Sequence, residues 1–182
     1  MKVKKVNVGL VGLGMVCESH LKAYSAHPDA EVIAVCDLDA ARLKEIANKY
    51  GIPKTYTAYE QMLQDPEINT VDITTPTILH SPMALAAAMA GKNILCEKPF
   101  CLTLTEGQEV CEAAHTQGVT LMVGESYIFM TSLKQARTLI DAGEIGKPQQ
   151  IRQQFGSWVE RPGVLETGRP VTDDHRGWRM DS

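Results

Sequence analysis

Short apolar runs alternate with longer segments of helical spacing from the start of this chain to residue 124, and that alternation restricts it to one kind of fold. The runs are Val6–Val11, 32–36, 71–73, Asn93–Cys96 and 120–123, with a shorter one near 55–56. Each is too short for a helix and too continuously apolar for a strand with one wet face, so each reads as a strand covered on both sides. Parallel strands joined by crossover helices meet that requirement. The helices between them carry their own punctuation. Asp39 caps Ala40–Tyr50, and Gly51 stops it. Thr57 with Glu60 predicts a capping box for a short helix ending before Asp65-Pro66. Ser81 as the cap and Pro82 in the first turn open a helix over 83–90 that Gly91 closes. Thr103 with Glu106 predicts a second capping box, on a helix ending at Gly118. The expected fold is a Rossmann-type, doubly wound parallel α/β sheet over residues 1–124.

After Gly124 the character changes. A helix over 133–142, closed by Gly143, and an alternating strand over 149–155 are expected. Residues 156–182 are polar, rich in Arg and Asp, and without period, so 125–182 read as the opening of a second, incomplete domain.

Composition narrows the function classes. With 44% hydrophobic residues and a net charge of -4, the chain can bury a sizeable core and carries no basic stripe, so no nucleic-acid partner is expected. The basic start, Met1-Lys2-Val3-Lys4-Lys5, leads into a run too short and glycine-rich for a signal peptide, and no stretch is long enough to span a membrane. Cys17, Cys36, Cys96, Cys101 and Cys111 form an odd set with no Cys-x-x-Cys pair. Neither a zinc ribbon nor a disulfide framework is expected, no residue is assigned to a metal, and small buried thiols in a reducing cytoplasm are the reading.

The chemistry concentrates at strand exits, where open α/β sheets place their ligands. In Gly12-Leu13-Gly14-Met15-Val16-Cys17 the first glycine permits a tight turn, and the second lets backbone amides approach a pyrophosphate. The next helix, expected over 20–26, turns its N-terminus toward that anion, with His20 near its start. Cys17 holds the place where this pattern usually has a small residue, and its thiol should push the helix slightly outward. Asp37 follows the second strand, about twenty residues on, where a carboxylate accepts ribose hydroxyls and repels a 2′-phosphate. That favours NAD, while Arg42 and Lys44 nearby keep NADP open. Thr75 and Pro76 leave the third long strand and should line the cofactor crevice. His80 is either part of that lining or a surface residue before a helix cap. Lys98 stands in Cys96-Glu97-Lys98-Pro99, at another strand exit, where an ammonium can hydrogen-bond a substrate oxygen and stabilise negative charge. His27, His115 and His175 show no ligand spacing.

These residues in order, with Ala90-Gly91-Lys92 and Gly143-Glu144-Ile145-Gly146, resemble the Gfo/Idh/MocA oxidoreductases over nearly the whole chain. The resemblance implies an enzyme that oxidises or reduces a secondary alcohol or carbonyl of a sugar or cyclitol with NAD(P). It implies Lys98 as the catalytic lysine and Glu97 beside the nicotinamide. It also implies a cis Lys98–Pro99 bond, and a cofactor site built from Gly12, Gly14, Met15, Val16, Asp37, Thr75, Pro76, His80, Glu97 and Lys98. Residues 125–182 become part of an α+β substrate and oligomerisation domain, and a homo-oligomer follows. Three positions depart from the pattern. Cys17 is one; a second is Glu125-Ser126-Tyr127-Ile128-Phe129, where the family often has Glu-Asn-Tyr-Arg-Phe. The third is the end of the chain just after Gly177-Trp178-Arg179-Met180-Asp181, before the family's second catalytic group, so the chain reads as truncated and its own turnover as very low. Two other readings stand beside the enzyme: an NAD(P)-binding sensor without catalysis, and an inactive fragment.

Overall fold

Six parallel strands make the sheet: β1 Val6–Val11, β2 Ala30–Cys36, β3 Lys54–Tyr56, β4 Thr70–Ile73, β5 Asn93–Cys96 and β6 Leu121–Val123. Their order is β3-β2-β1-β4-β5-β6, so the sheet winds outward in both directions from the β1/β4 boundary, the point where such folds open a crevice. The computed structural model describes residues 5–152, and the chain divides into one unit ending at Gly124 and another beginning at Glu125. The predicted strands of the first unit are present, β2 starting two residues early at Ala30.

The helices between the strands are α1 Cys17–Ser25, α2 Ala40–Tyr50, α3 Tyr59–Leu63, α4 His80–Met89 and α5 Leu104–Gln117. Asp39 caps α2 by accepting from the amides of Ala41 and Arg42 at 2.9 and 3.1 Å, and Gly51 ends it with φ 67°. The capping box of α5 is reciprocal: Thr103 Oγ1 accepts from the Glu106 amide, and the Glu106 carboxylate accepts from the Thr103 amide.

Three predicted helix starts are corrected. The first helix begins at Cys17 rather than near His20, because Val16 already takes helical dihedrals. Thr57 caps nothing: α3 begins one residue late, so the extended Ala58 occupies the cap position and has no side chain to offer. Ser81 is likewise not a cap. A 3-10 turn over Thr77–Leu79 runs directly into α4 at His80, which draws Ser81 inside the helix, where it is buried. Pro82 still falls in the first turn, where its missing N–H costs no hydrogen bond.

The strand alternation sorts the core into two layers. Val11, Ala34, Cys36, Val71, Ile73, Ile94 and Cys96 face α3, α4 and α5, which answer with Met62, Leu63, Ala84, Ala87, Ala88 and Val110. Leu10 and Val35 face the other way, against Leu13, Cys17, Leu21, Leu43 and Ile46 of the glycine turn, α1 and α2. Each fully buried Leu or Ile contributes roughly 1.5–3 kcal/mol. Leu10 pairs with Asp72, and Asp72 with Leu95, so the buried Asp72 lies on the α1 side of the sheet.

The second unit contains a 3-10 turn, Ser126–Phe129, and α6 Thr131–Asp141, which carries an Arg137–Asp141 ion pair at 2.6 Å and ends before Gly143 at φ 75°. The predicted strand over 149–155 is absent from residues 149–152, and its remainder lies outside the described residues.

Candidate functional site

At Gly12, φ is +91°, and a Cβ would stand 2.8 Å from both the backbone nitrogen and Cγ2 of Thr75. Only glycine fits where the β1 exit presses against the β4 exit. Thr74 fastens the same contact, its single hydroxyl proton lying between the carbonyls of Val11 and Gly12 at 3.0 and 2.7 Å. Gly14 is the opposite case. It is exposed, and a Cβ there would meet nothing within 4 Å. That open space lies ahead of α1, whose cap residue Val16 makes no side-chain capping bond, so the first amides of the helix keep their donors. Met15 and Val16 are half-buried in this turn. Cys17 is buried with Leu21 and Leu43, its thiol pushed up by burial, so the sulfur is core rather than ligand.

Asp37 closes the floor of the turn. Its Oδ2 accepts from the Leu13 amide at 2.6 Å, and its Oδ1 from the Asp39 amide at 2.9 Å. Arg42 is committed elsewhere: Nε donates to the Leu13 carbonyl at 3.0 Å, and the other nitrogens pair with Glu45 at 2.7 Å and Glu18 at 3.3 Å. A 2′-phosphate would have to break those pairs. The exposed Leu38, next to Asp37, presents an apolar surface.

His80 is not a surface residue. It is 1% exposed, and its ring nitrogens face the carbonyls of Pro99 at 2.7 Å and Thr75 at 2.8 Å. It therefore ties the Thr75-Pro76 turn to the turn that follows Lys98. The Lys98–Pro99 bond is cis. Lys98 is exposed at the end of β5, and its amide donates to Glu97 Oε2 at 3.0 Å.

His20 is the residue that sequence reasoning placed wrongly. It does not begin α1 beside a phosphate. From the fourth position of the helix, its Nδ1 meets Asp72 Oδ2 at 2.8 Å and its Nε2 meets Glu97 Oε1 at 3.1 Å. Burial opposes a charged ring, but hydrogen bonds to the two carboxylates overcome it and push His20 up to about 9. Burial also works against the Glu97 carboxylate, yet His20 and the Lys98 amide hold it below the ordinary range. The signal in the sequence was Asp72, a carboxylate inside an apolar strand that needs a buried partner.

The comparisons with known proteins agree with this geometry. The model of an oxidoreductase family with an NAD-binding Rossmann fold, GFO_IDH_MocA, matches residues 6–125. The chain belongs to the Gfo/Idh/MocA family. It is 33% identical to D-apiose dehydrogenase of Paraburkholderia graminis over 176 residues, 94% of this chain and 47% of the relative. It is 34% identical to inositol 2-dehydrogenase of Salmonella typhimurium over 149 residues, 80% of this chain and 44% of the relative. A scyllo-inositol dehydrogenase from Lactobacillus casei, solved with bound NAD(H) and scyllo-inositol, superposes with a TM-score of 0.74 at 25% identity, covering 79% of this chain and 43% of that one. The chain thus spans somewhat under half the length of these Gfo/Idh/MocA relatives. Among the described residues, no helix is long and apolar enough to cross a membrane.

Proposed function

We propose that this Gfo/Idh/MocA chain is the cofactor-binding part of an NAD-dependent dehydrogenase acting on a secondary alcohol or carbonyl of a sugar or cyclitol. The observation that carries the reading is the meeting of two structures at the carboxyl ends of the strands. A glycine turn floored by Asp37 stands on one side of the switch point, and Glu97-Lys98-Pro99 on the other. The residues fit the cofactor. Open space at Gly14 in front of uncapped α1 amides suits a pyrophosphate. Asp37 retains lone pairs for ribose hydroxyls, Leu38 offers a face for the adenine, and the engagement of Arg42 favours NAD over NADP. Bound there, NAD supplies the hydride acceptor or donor.

The chain's own residues do the rest. The Gly12–Gly14 turn and α1 bind the diphosphate, and Asp37 orients the adenosine ribose. Glu97 is a fixed carboxylate at the β5 exit. The Lys98 ammonium hydrogen-bonds the substrate oxygen and stabilises charge on it as hydride moves. The names of the relatives support the sugar or cyclitol class.

Titration of NADH into the purified chain, read by calorimetry, tests the cofactor reading. Saturable one-to-one binding, weaker for NADPH, is expected. A folded chain that binds neither nucleotide overturns it.

A further inference from the structure

The contact between α1 and the β5 exit is an ionic assembly around the buried Asp72 in which the proposed reaction gives His20 no part. Its geometry sets the charge state. Both ring nitrogens of His20 lie within hydrogen-bond distance of carboxylate oxygens, and a neutral imidazole donates from only one nitrogen. The imidazolium satisfies both. Asp72 is fully buried; His20 meets its Oδ2 at 2.8 Å and the Tyr24 hydroxyl also lies against the carboxylate, so the His20 ring is the cationic partner of a buried acid. The surroundings are accounted for on every side. Asp72 comes from β4 and Glu97 from the end of β5. Tyr24, on the same helix as His20, sits beside Asp72, with burial and then that carboxylate raising its hydroxyl out of the physiological range. The Cys96 thiol, pushed up to about 12 by burial and then by Asp72 and Glu97, stays neutral.

The Glu97 carboxylate is held at several points. Oε1 takes the His20 bond, and Oε2 takes the Lys98 amide. Gly124 closes the remaining side, since a Cβ there would stand 3.2 Å from Oε1. Of these, only His20 connects Glu97 to the helix whose N-terminus faces the open space at Gly14.

We infer that His20 is a positioning residue that locks the phosphate-facing helix α1 to the Glu97-Lys98-Pro99 segment, orienting Glu97 through Nε2 while Asp72 anchors the opposite ring nitrogen. This deepens the cofactor reading and rests on it. A dinucleotide would span both ends of this lock, so breaking it should weaken the whole nucleotide's binding although His20 need touch no part of it.

The test combines nucleotide titration with a direct look at the ring. Imidazole nitrogen NMR of the purified chain should find His20 protonated on both nitrogens at pH 7.5, losing a proton near pH 9. NADH affinity should fall through the same range. His20→Ala should weaken NADH about tenfold, the order expected for a coupled neighbour, and abolish the alkaline inflection. His20→Gln, which keeps a donor for Glu97 but no titrating proton, should recover part of the affinity and none of the inflection. Gly124→Ala perturbs Glu97 from the opposite side without touching Asp72, and should weaken NADH even where the His20 variants fold poorly. A single-nitrogen tautomer at pH 7.5, or folded variants with unchanged affinity and pH profile, overturns the inference while wild-type binding leaves the cofactor reading standing. Failure of the folded wild-type chain to bind NADH overturns that reading and the inference with it.

Discussion

Gly12 and Gly14 lie two residues apart in one turn, and their different surroundings predict separable effects of substitution. Alanine at Gly12 must keep φ at +91°, a conformation costing an L residue roughly 1–2 kcal/mol. Its methyl would also stand 2.8 Å from the Thr75 backbone nitrogen and 2.9 Å from the Thr74 carbonyl carbon, main-chain atoms that cannot rotate away. Overpacking of that kind costs about 1–3 kcal/mol. Loss of unfolded-chain freedom returns about 0.4–1 kcal/mol. The net destabilisation of Gly12→Ala is therefore about 1–5 kcal/mol, or a fall in Tm of roughly 3–20 °C for a unit of this size. Gly14 has no positive φ and no atom within 4 Å of its Cβ position, so Gly14→Ala should stay within about 0.5 kcal/mol of wild type. Its methyl instead enters the open space proposed to take the pyrophosphate, and NADH should bind at least about tenfold more weakly, a loss of ~1.4 kcal/mol. Urea denaturation followed by circular dichroism, paired with NADH calorimetry, separates the two outcomes. A Gly14→Ala chain with wild-type affinity, or a Gly12→Ala chain with wild-type stability, refutes the division of labour.

Other expectations follow from the same contacts. Asp37→Ala removes the acceptor of the Leu13 amide together with the proposed ribose partner, and NADH calorimetry should register a loss of about tenfold or more; unchanged affinity would remove Asp37 from the site. Lys92 is buried and donates to the carbonyls of Asp65 and Ile68, both at 2.8 Å, so Lys92→Met strands two acceptors. A loss of about 1–3 kcal/mol in urea titration is expected, and unchanged stability contradicts it. Hydrogen bonding from Lys54, helped by the Glu67 amide and Tyr56, holds the Asp65 carboxyl down to about 2. Its stabilising contribution is thus fully present above about pH 4 and lost as pH falls toward 2. Asp65→Asn should flatten the acid limb of a Tm-against-pH curve; an identical acid limb refutes the assignment.

The sheet was legible because its strands are buried on both faces and therefore read as continuous apolar runs, as Leu10 and Val11 show by facing opposite layers. Helix stops at Gly51 and Gly118 were equally readable, since each sits in the left-handed region. Helix starts were less so. Thr57 and Ser81 carry cap chemistry, but a one-residue delay at α3 and a 3-10 lead-in to α4 moved the caps to Ala58 and Leu79, and local composition does not encode either shift. At the site, Gly12, Asp37 and the cis Lys98–Pro99 bond came from motif and resemblance. The partners of His20 and His80 did not, because each reaches across elements distant in sequence: 52 and 77 residues to Asp72 and Glu97 for His20, and 19 residues to Pro99 for His80.

The two histidines explain why so many separate loops can serve one ligand. Gly12 packs on Thr75, and His80 joins the Thr75 carbonyl to Pro99. Glu97, two residues before Pro99, returns through His20 to α1, the helix that follows the glycine turn. The contacts close into a ring around the switch point, and Asp37 joins it through Leu13. A ring of this kind fixes each strand exit by two neighbours rather than one, so a single loop cannot drift without straining another. Preorganisation would then come from the half-buried His20 and the buried His80, each set between two oxygen partners, while Gly14 and Lys98, the positions proposed to face the nucleotide, are exposed. Removal of either histidine should therefore disturb loops on both sides of the crevice, whereas changes at Gly14 should be confined to the ligand.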